Sequence, residues 1–346
     1  MKLYLDLGCQ PFQVWIYKYI DIYQKTKIII NILLQTIKYL YKIYQMNLKN
    51  IILNELHLIN EDTLNECVIA AVRLPGETIL AKNRDRGYKA DIEIVHEIID
   101  GVEIVYWHDR KTDWSEGMNE FGIGIINSTL SVVSDEKEGT DKKSEKGDFD
   151  KKGKGGKPSY DGLKIRTALK EKSLIKVIKT LISYTGEDKK DVGVKGETIV
   201  ATPKDIFVIE NTSEHAPIIT KINDESKIVV RTNHGIFHKD AGYTSGMKKK
   251  SSQSRMKLAK THLRDAKKDT DVLNILHKQY IRNNVLNPYR RDNKFKMHTT
   301  GQIMMNLDKK EVTVRMDKKY GEFDGYVNLL PEGYDAKIKV NKVKFI

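Results

Sequence analysis

An apolar run over residues 67–73 reads as a strand. Pro75-Gly76 supplies its turn, and residues 78–82 form the returning arm of a hairpin. A second hairpin is predicted from residues 92–99 and 102–108, two β-prone stretches around the turn dipeptide Asp100-Gly101. Residues 121–130, opened by Gly122 and Gly124, read as a buried strand. The period then changes. Across 161–184 the apolar positions Leu163, Ile165, Ala168, Leu169, Leu174, Ile175, Val177, Ile178, Leu181 and Ile182 recur at helical spacing, with lysines on the opposite face. Strands return at 198–202, 205–210, 216–221 and 227–232, a second helical block covers 251–266 and 270–282, and strands close the chain at 301–307, 311–316 and 336–340. Runs of strands separated by runs of helices predict an α+β architecture, not a doubly wound parallel sheet.

Two segments depart from this globular texture. Residues 12–44 are rich in Ile, Leu, Tyr and Lys, but Lys18, Lys25, Lys27, Lys38 and Lys42 interrupt the stretch of about 20 apolar residues that a membrane span needs. Residues 1–66 therefore read as a leader or propeptide. The competing readings are a basic amphipathic helix lying on a membrane surface through residues 12–45, and a chain that truly starts at Met46. Residues 134–158 carry eight Lys against seven acids and a single Phe, too little apolar surface to offset ordering, so a disordered loop is expected there.

Composition narrows the class. The chain has 346 residues, 40% of them apolar, enough for a substantial core. Its two cysteines, Cys9 and Cys67, cannot make a disulfide framework, which fits a reducing, cytoplasmic setting. The net charge of +13 raises nucleic acid as a partner. However, six Lys against two Asp stand before Met46, and the remainder is spread over helical faces such as Lys248-Lys249-Lys250 and Lys257. No basic stripe interleaved with aromatics emerges, so nucleic acid is not the favoured partner. His234 and His238 stand four apart with Gly235 between them, a poor helical ligand pair, and no phosphate-binding glycine loop follows a strand. Neither a metal nor a cofactor is expected.

Cys67 draws attention through its company. A small thiol at a strand start is ordinarily core filler. Here the hairpin returns the cluster Lys82-Asn83-Arg84-Asp85-Arg86 beside it, and cations next to a thiol favour the thiolate. Alone, that cluster would read as a solvated loop of local ion pairs.

With this hairpin, the stretch Glu116-Gly117-Met118-Asn119-Glu120-Phe121-Gly122-Ile123-Gly124, Asn127, Arg231-Thr232-Asn233-His234 and Ser251-Ser252-Gln253-Ser254-Arg255, the sequence resembles the N-terminal-nucleophile (Ntn) hydrolases. More narrowly it is similar to the group of choloylglycine and penicillin V hydrolases, acid ceramidase and acyl-coenzyme A:6-aminopenicillanic-acid acyltransferase. The resemblance implies a four-layer αββα sandwich of two stacked antiparallel sheets over residues 67–346. It implies maturation by cutting the Glu66–Cys67 bond, which frees the Cys67 α-amine as general base for its own thiol. The implied reaction is hydrolysis or acyl transfer on a small-molecule amide, through a thioester. Matched by position, Asp85 would orient the amine, Asn127 would give a backbone N–H and Asn233 a side-chain amide to the oxyanion, and Arg255 would couple to Asp85. Lys82, Arg84 and Trp114 would shape substrate contacts and electrostatics. The bland readings are turn residues for Asn127 and Asn233, a surface cation for Arg255 and core packing for Trp114. Val68 replaces the Thr common after the nucleophile, and Lys82 stands where bile-salt hydrolases have Arg. The rival functions are a basic nucleic-acid-associated protein and an inactive relative of the fold; homo-oligomerisation stays open.

Overall fold

The first hairpin joins β1 (Glu66–Leu74) to β2 (Glu77–Arg86). Pro75 presets the first turn angle and Gly76, at φ 73°, takes the left-handed position that a side chain would resist. The second joins β3 (Ala90–Ile99) to β4 (Val102–Asp109), with Asp100 at φ 52° and Gly101 at φ 74°, the paired positive angles of a type I′ turn. The computed structural model describes residues 66–87, 90–130, 160–183, 193–291 and 297–316, with the backbone of 321–324 and 334–339. Of the leader expected over 1–66, residues 1–65 lie outside the described residues, as does the charged loop expected over 134–158.

Beyond the hairpins the chain forms β5 (Trp114–Asn119), β6 (Gly124–Ser128), α1 (Tyr160–Leu169), α2 (Leu174–Ile182), β7 (Gly196–Ala201), β8 (Ile206–Asn211), β9 (Ile218–Lys221) and β10 (Ile228–Arg231). There follow α3 (Gly246–His262), α4 (Asp269–His277), β11 (His298–Asn306), β12 (Glu311–Met316), β13 (Gly321–Asp324) and β14 (Tyr334–Lys339). One sheet runs β10-β1-β2-β11-β12-β14, the other β13-β3-β4-β5-β6-β7-β8-β9. Pairing is antiparallel throughout except at one edge, where β13 lies parallel to β3.

Three apolar clusters define the layers. Cys67, Ile69 and Leu80 of the first sheet meet Trp107, Met118 and Val208 of the second, so these faces are buried against each other. The opposite face of the first sheet, with Val68, Ala70 and Ala81, packs on Ala259, Leu263, Val272 and Leu276 of α3, α4 and their junction. The outer face of the second sheet, with Ile104 and Ile125, packs on Ile165, Val177 and Leu181 of α1 and α2. The order is helices, sheet, sheet, helices, the four-layer αββα sandwich. Among the described residues no helix is long and apolar enough to cross a membrane.

The structure redraws several elements. The helix expected over 161–184 is two, because Lys170 to Ser173 offers nothing to bury and Ser173 caps α2 by accepting the Lys176 N–H at 3.4 Å. The strand expected over 121–130 is confined to β6 and preceded by a turn in which Asn119 Oδ1 accepts the N–H groups of Phe121 and Ile123. β5 is an addition: Trp-Ser-Glu-Gly-Met-Asn has neither a run of β-branched residues nor clean alternation, yet it is buried along its whole length. α3 starts five residues before the apolar signal, and α4 ends at His277, not at 282.

Candidate active site

β1 and β2 are in register Glu66↔Asp85, Cys67↔Arg84, Ile69↔Lys82. Side chains alternate across a strand, so Cys67, Lys82, Arg84 and Arg86 share the face turned to the second sheet, while Glu66, Asn83 and Asp85 share the face turned to α3 and α4. A thiol face rich in cations thus backs onto a carboxylate face.

On the carboxylate face lies a buried ionic cluster. Arg255, fully buried on α3, donates from Nη2 to Glu66 Oε2 at 2.6 Å and from Nη1 to the Cys67 carbonyl at 2.9 Å. The same guanidinium reaches Asn233 Oδ1 at 3.1 Å and Asp85 Oδ2 at 3.5 Å. A second guanidinium, Arg290, meets Glu66 Oε2 at 2.6 Å and places its Nε 3.6 Å from Asp85 Oδ2. Thr299 donates its hydroxyl to Asp85 Oδ1 at 2.6 Å. Burial alone would raise both carboxyls. For Glu66 the charges of Arg290 and Arg255 outweigh it, and the group lies below the ordinary carboxylate range. For Asp85 burial wins over the same two cations, helped by the nearby Glu66 charge, and its pKa is raised.

The Glu66–Cys67 peptide is held from several sides. Its N–H donates to Asn233 Oδ1 at 2.9 Å. Asn233 is itself fixed, its Nδ2 donating to the Thr129 carbonyl at 2.9 Å and Ser128 Oγ at 3.2 Å, and its backbone N–H to Ser252 Oγ at 2.9 Å. His234 Nδ1 lies 2.8 Å from the same Ser252 hydroxyl; burial first, then Arg255 and neighbouring cations, push this imidazole down to about 4, so it is neutral at physiological pH.

On the thiol face, among the described residues, the cation within reach of Cys67 is Arg86, whose Nη1 is 3.6 Å from Sγ. Lys82 gives its ammonium to Glu116 Oε1 and, at 2.7 Å, to the Asn127 carbonyl. Arg84 pairs with Asp109 at 2.5 Å and reaches Thr112 Oγ1 at 3.3 Å. Trp114 is buried, donates Nε1 to the same Glu116 oxygen at 2.8 Å and lies under Lys82, 5.8 Å from ring centroid to Nζ.

The structure therefore brings Glu66, Cys67, Asp85, Asn233 and Arg255 into one cluster. Asn127 is adjacent: its side chain is turned into its own sheet, donating to Thr198 Oγ1 at 2.7 Å and the Lys195 carbonyl at 3.1 Å, while the next residue, Ser128, touches Asn233. Lys82, Glu116 and Trp114 form a second buried group linked to it through the Asn127 carbonyl. Two members were not singled out from the sequence. Arg86 was legible from strand alternation, because it stands on the thiol's face two residues beyond Arg84. Arg290 comes from the irregular segment after α4, which is stapled by the buried side chain of Asn287; its Oδ1 accepts the N–H groups of Tyr280 and Ile281, and its Nδ2 donates to the carbonyls of Ile281 and Asn283. No local pattern announces that role. Among the described residues no three His, Cys, Asp or Glu side chains converge as a metal site would require.

Fold and site together define an αββα sandwich with a cysteine at the start of its first strand, ringed by buried charge. Three solved structures superpose on part of this chain. Two variants of the conjugated bile acid hydrolase from Clostridium perfringens superpose with TM-scores of 0.45 and 0.47, at 14% and 17% identity, over 80% of this chain and 93% and 94% of theirs. Penicillin V acylase from Agrobacterium tumefaciens superposes with a TM-score of 0.39 at 10% identity, over 72% of this chain and 82% of its own. No family model and no curated protein sequence matches the chain.

Proposed function

We propose that the chain is an amidohydrolase of the Ntn type that cuts itself between Glu66 and Cys67 and then uses Cys67 as the nucleophile on a small-molecule amide. The observation that carries this reading is that Asn233 and Arg255, distant in sequence from the first hairpin, hold the N–H and carbonyl of Cys67 at the bond that such a cut would open, with Asp85 of the same hairpin behind Arg255.

In the uncut chain the nitrogen of Cys67 is an amide and has no basicity. Once freed it is an α-amine with an ordinary pKa near 8. Asn233 Oδ1, already 2.9 Å from that nitrogen, is placed to accept one of its protons and aim its lone pair. The amine takes the thiol proton, sulfur attacks the substrate carbonyl carbon, and the negative charge that develops on oxygen needs preorganised donors. Collapse expels the amine portion of the substrate and leaves a thioester, which water resolves in a hydrolase and an acceptor amine resolves in an acyltransferase. Arg255 keeps the Cys67 carbonyl and Asn233 in a fixed relation through this cycle, and Asp85 anchors Arg255.

Mass analysis of the purified full-length protein tests the reading. The expected result is a fragment beginning at Cys67, absent from Cys67→Ala, together with turnover of at least one member of a panel of N-acyl amino acids, β-lactams and small peptides. Turnover is expected to vanish when Cys67 is alkylated. A chain that stays intact and inert under all conditions overturns it.

A further inference from the structure

Lys82 and Arg84 stand on the strand that returns beside Cys67. The structure commits both elsewhere, to Glu116 and Asp109, and puts Arg86 at the sulfur. The same nitrogen, Arg86 Nη1, also faces the carbonyl oxygen of Glu66 at 3.4 Å and is steadied by the Asp85 carbonyl at 2.7 Å. One guanidinium nitrogen thus stands against the nucleophilic sulfur and against the oxygen of the carbonyl that sulfur would attack. Arg86 is 2% exposed, so little water competes for these contacts.

We propose that Arg86 is a catalytic residue of the self-cleavage step, an assignment that rests on the self-processing reading above. Three other parts of the scissile residue pair are already pinned. The Glu66 carboxylate is held by Arg255 and Arg290, the peptide N–H by Asn233, and the Cys67 carbonyl by Arg255. What remains to be stabilised is charge on sulfur and then on the Glu66 oxygen, the two atoms Arg86 reaches. In the step, the Cys67 sulfur bonds to the Glu66 carbonyl carbon and the carbonyl π pair moves onto oxygen, where Arg86 donates. The 3.4 Å separation of the uncut state shortens as charge builds on that oxygen. The intermediate collapses by breaking the carbon–nitrogen bond; the thiol's proton ends on the departing nitrogen, which becomes the Cys67 amine. A water molecule then adds to the thioester, the carbon–sulfur bond breaks, Glu66 leaves with a new α-carboxylate and the thiol is restored.

The test compares wild type, R86Q and R86K as full chains. Appearance of the Cys67 terminus is timed by mass spectrometry, and folding of each variant is checked by its thermal melt. R86Q is expected to slow the cut by about 10²–10³-fold, the usual cost of one oxyanion donor. R86K keeps a charge but not the planar fork, so it is expected to cut faster than R86Q yet at least about tenfold slower than wild type. A folded R86Q that cuts within about threefold of wild type overturns the assignment. Should R86Q lose the fold, the R86K rate decides, and wild-type speed there overturns it as well. Failure of the underlying reading looks different: the wild-type chain itself stays uncut, whereas an error about Arg86 alone leaves wild type and R86Q cutting alike.

Discussion

Two carboxylates and two guanidiniums share the space under the Glu66–Cys67 bond, and their near balance lets four charges be buried together. Breaking such a set by removing one partner typically costs about 3–5 kcal/mol, because the remaining charge has no water to turn to. The two acids respond unequally: Glu66, bonded closely by both guanidiniums, stays ionised, whereas Asp85 is met at longer range and is pushed up. His234, at the edge of this cluster, makes a pH prediction. Its folded pKa is lowered to about 4 against about 6.5 in an unfolded chain, so between these values the unfolded state binds the extra proton. The stability contributed by neutral His234 is therefore complete above about pH 6.5 and is lost as pH falls through about 4. Urea midpoints measured across this window should fall with acid in wild type and fall less in His234→Asn. Equal slopes would assign the acid sensitivity to other groups.

At the level of elements, legibility followed where the physics is local. Both hairpins were readable because Pro75-Gly76 and Asp100-Gly101 carry their turn geometry in the residues themselves. Cys67, Asp85, Asn233 and Arg255 were reached through a resemblance spread over four stretches, and the structure gathers them. β5 was not readable, since a strand that buries Ser115, Glu116 and Asn119 is stabilised by partners elsewhere, Arg166, Lys82 and the carbonyls of Leu169 and Glu171. The division between α1 and α2 did leave a trace in the cap Ser173, but the continuing apolar period masks it. Arg290 depends on a loop whose shape is set by Asn287, a tertiary arrangement with no periodicity. The start of α1 offers a test of element packing. A Cβ added at Gly162 would lie 1.6 Å from the Asp113 carbonyl oxygen and 3.0 Å from the Trp114 Cα, backbone atoms with little room to yield. Gly162→Ala is expected to destabilise by roughly 1–3 kcal/mol or more through this overpacking. Thr167→Ala, on the exposed side of α1, should stay within about 0.5 kcal/mol. Thermal melts of the two variants distinguish a docked helix from a loosely placed one.

At the scale of the whole molecule, the four layers make protection uneven. β1, β2 and β11 lie inside the first sheet, with an apolar cluster on each face. Among the described residues β9 and β14 stand at sheet edges and pair on one side only. Amide hydrogen exchange should accordingly be slowest at Ile69 to Val72, Leu80 to Lys82 and Ile303 to Met305, and fastest among the strands at β9 and β14. Uniform exchange across the first sheet would mean that its centre opens as readily as its rim. The candidate site sits at the end of these most protected strands, so its geometry is tied to the most stable part of the fold.

The hairpin register carries a further consequence for how this chain tolerates change. Cys67 faces cations and Glu66 faces paired carboxylate and guanidinium groups only because Pro75-Gly76 joins Leu74 to Glu77 with no residue to spare. Adding or deleting one residue there would exchange odd for even along β2 and present Asn83 and Asp85 to the sulfur in place of Arg84 and Arg86. The turn touches no reacting atom and lies at the far end of both strands. It nevertheless acts as a ruler, and drift in its length would be filtered as strictly as a substitution at the thiol itself.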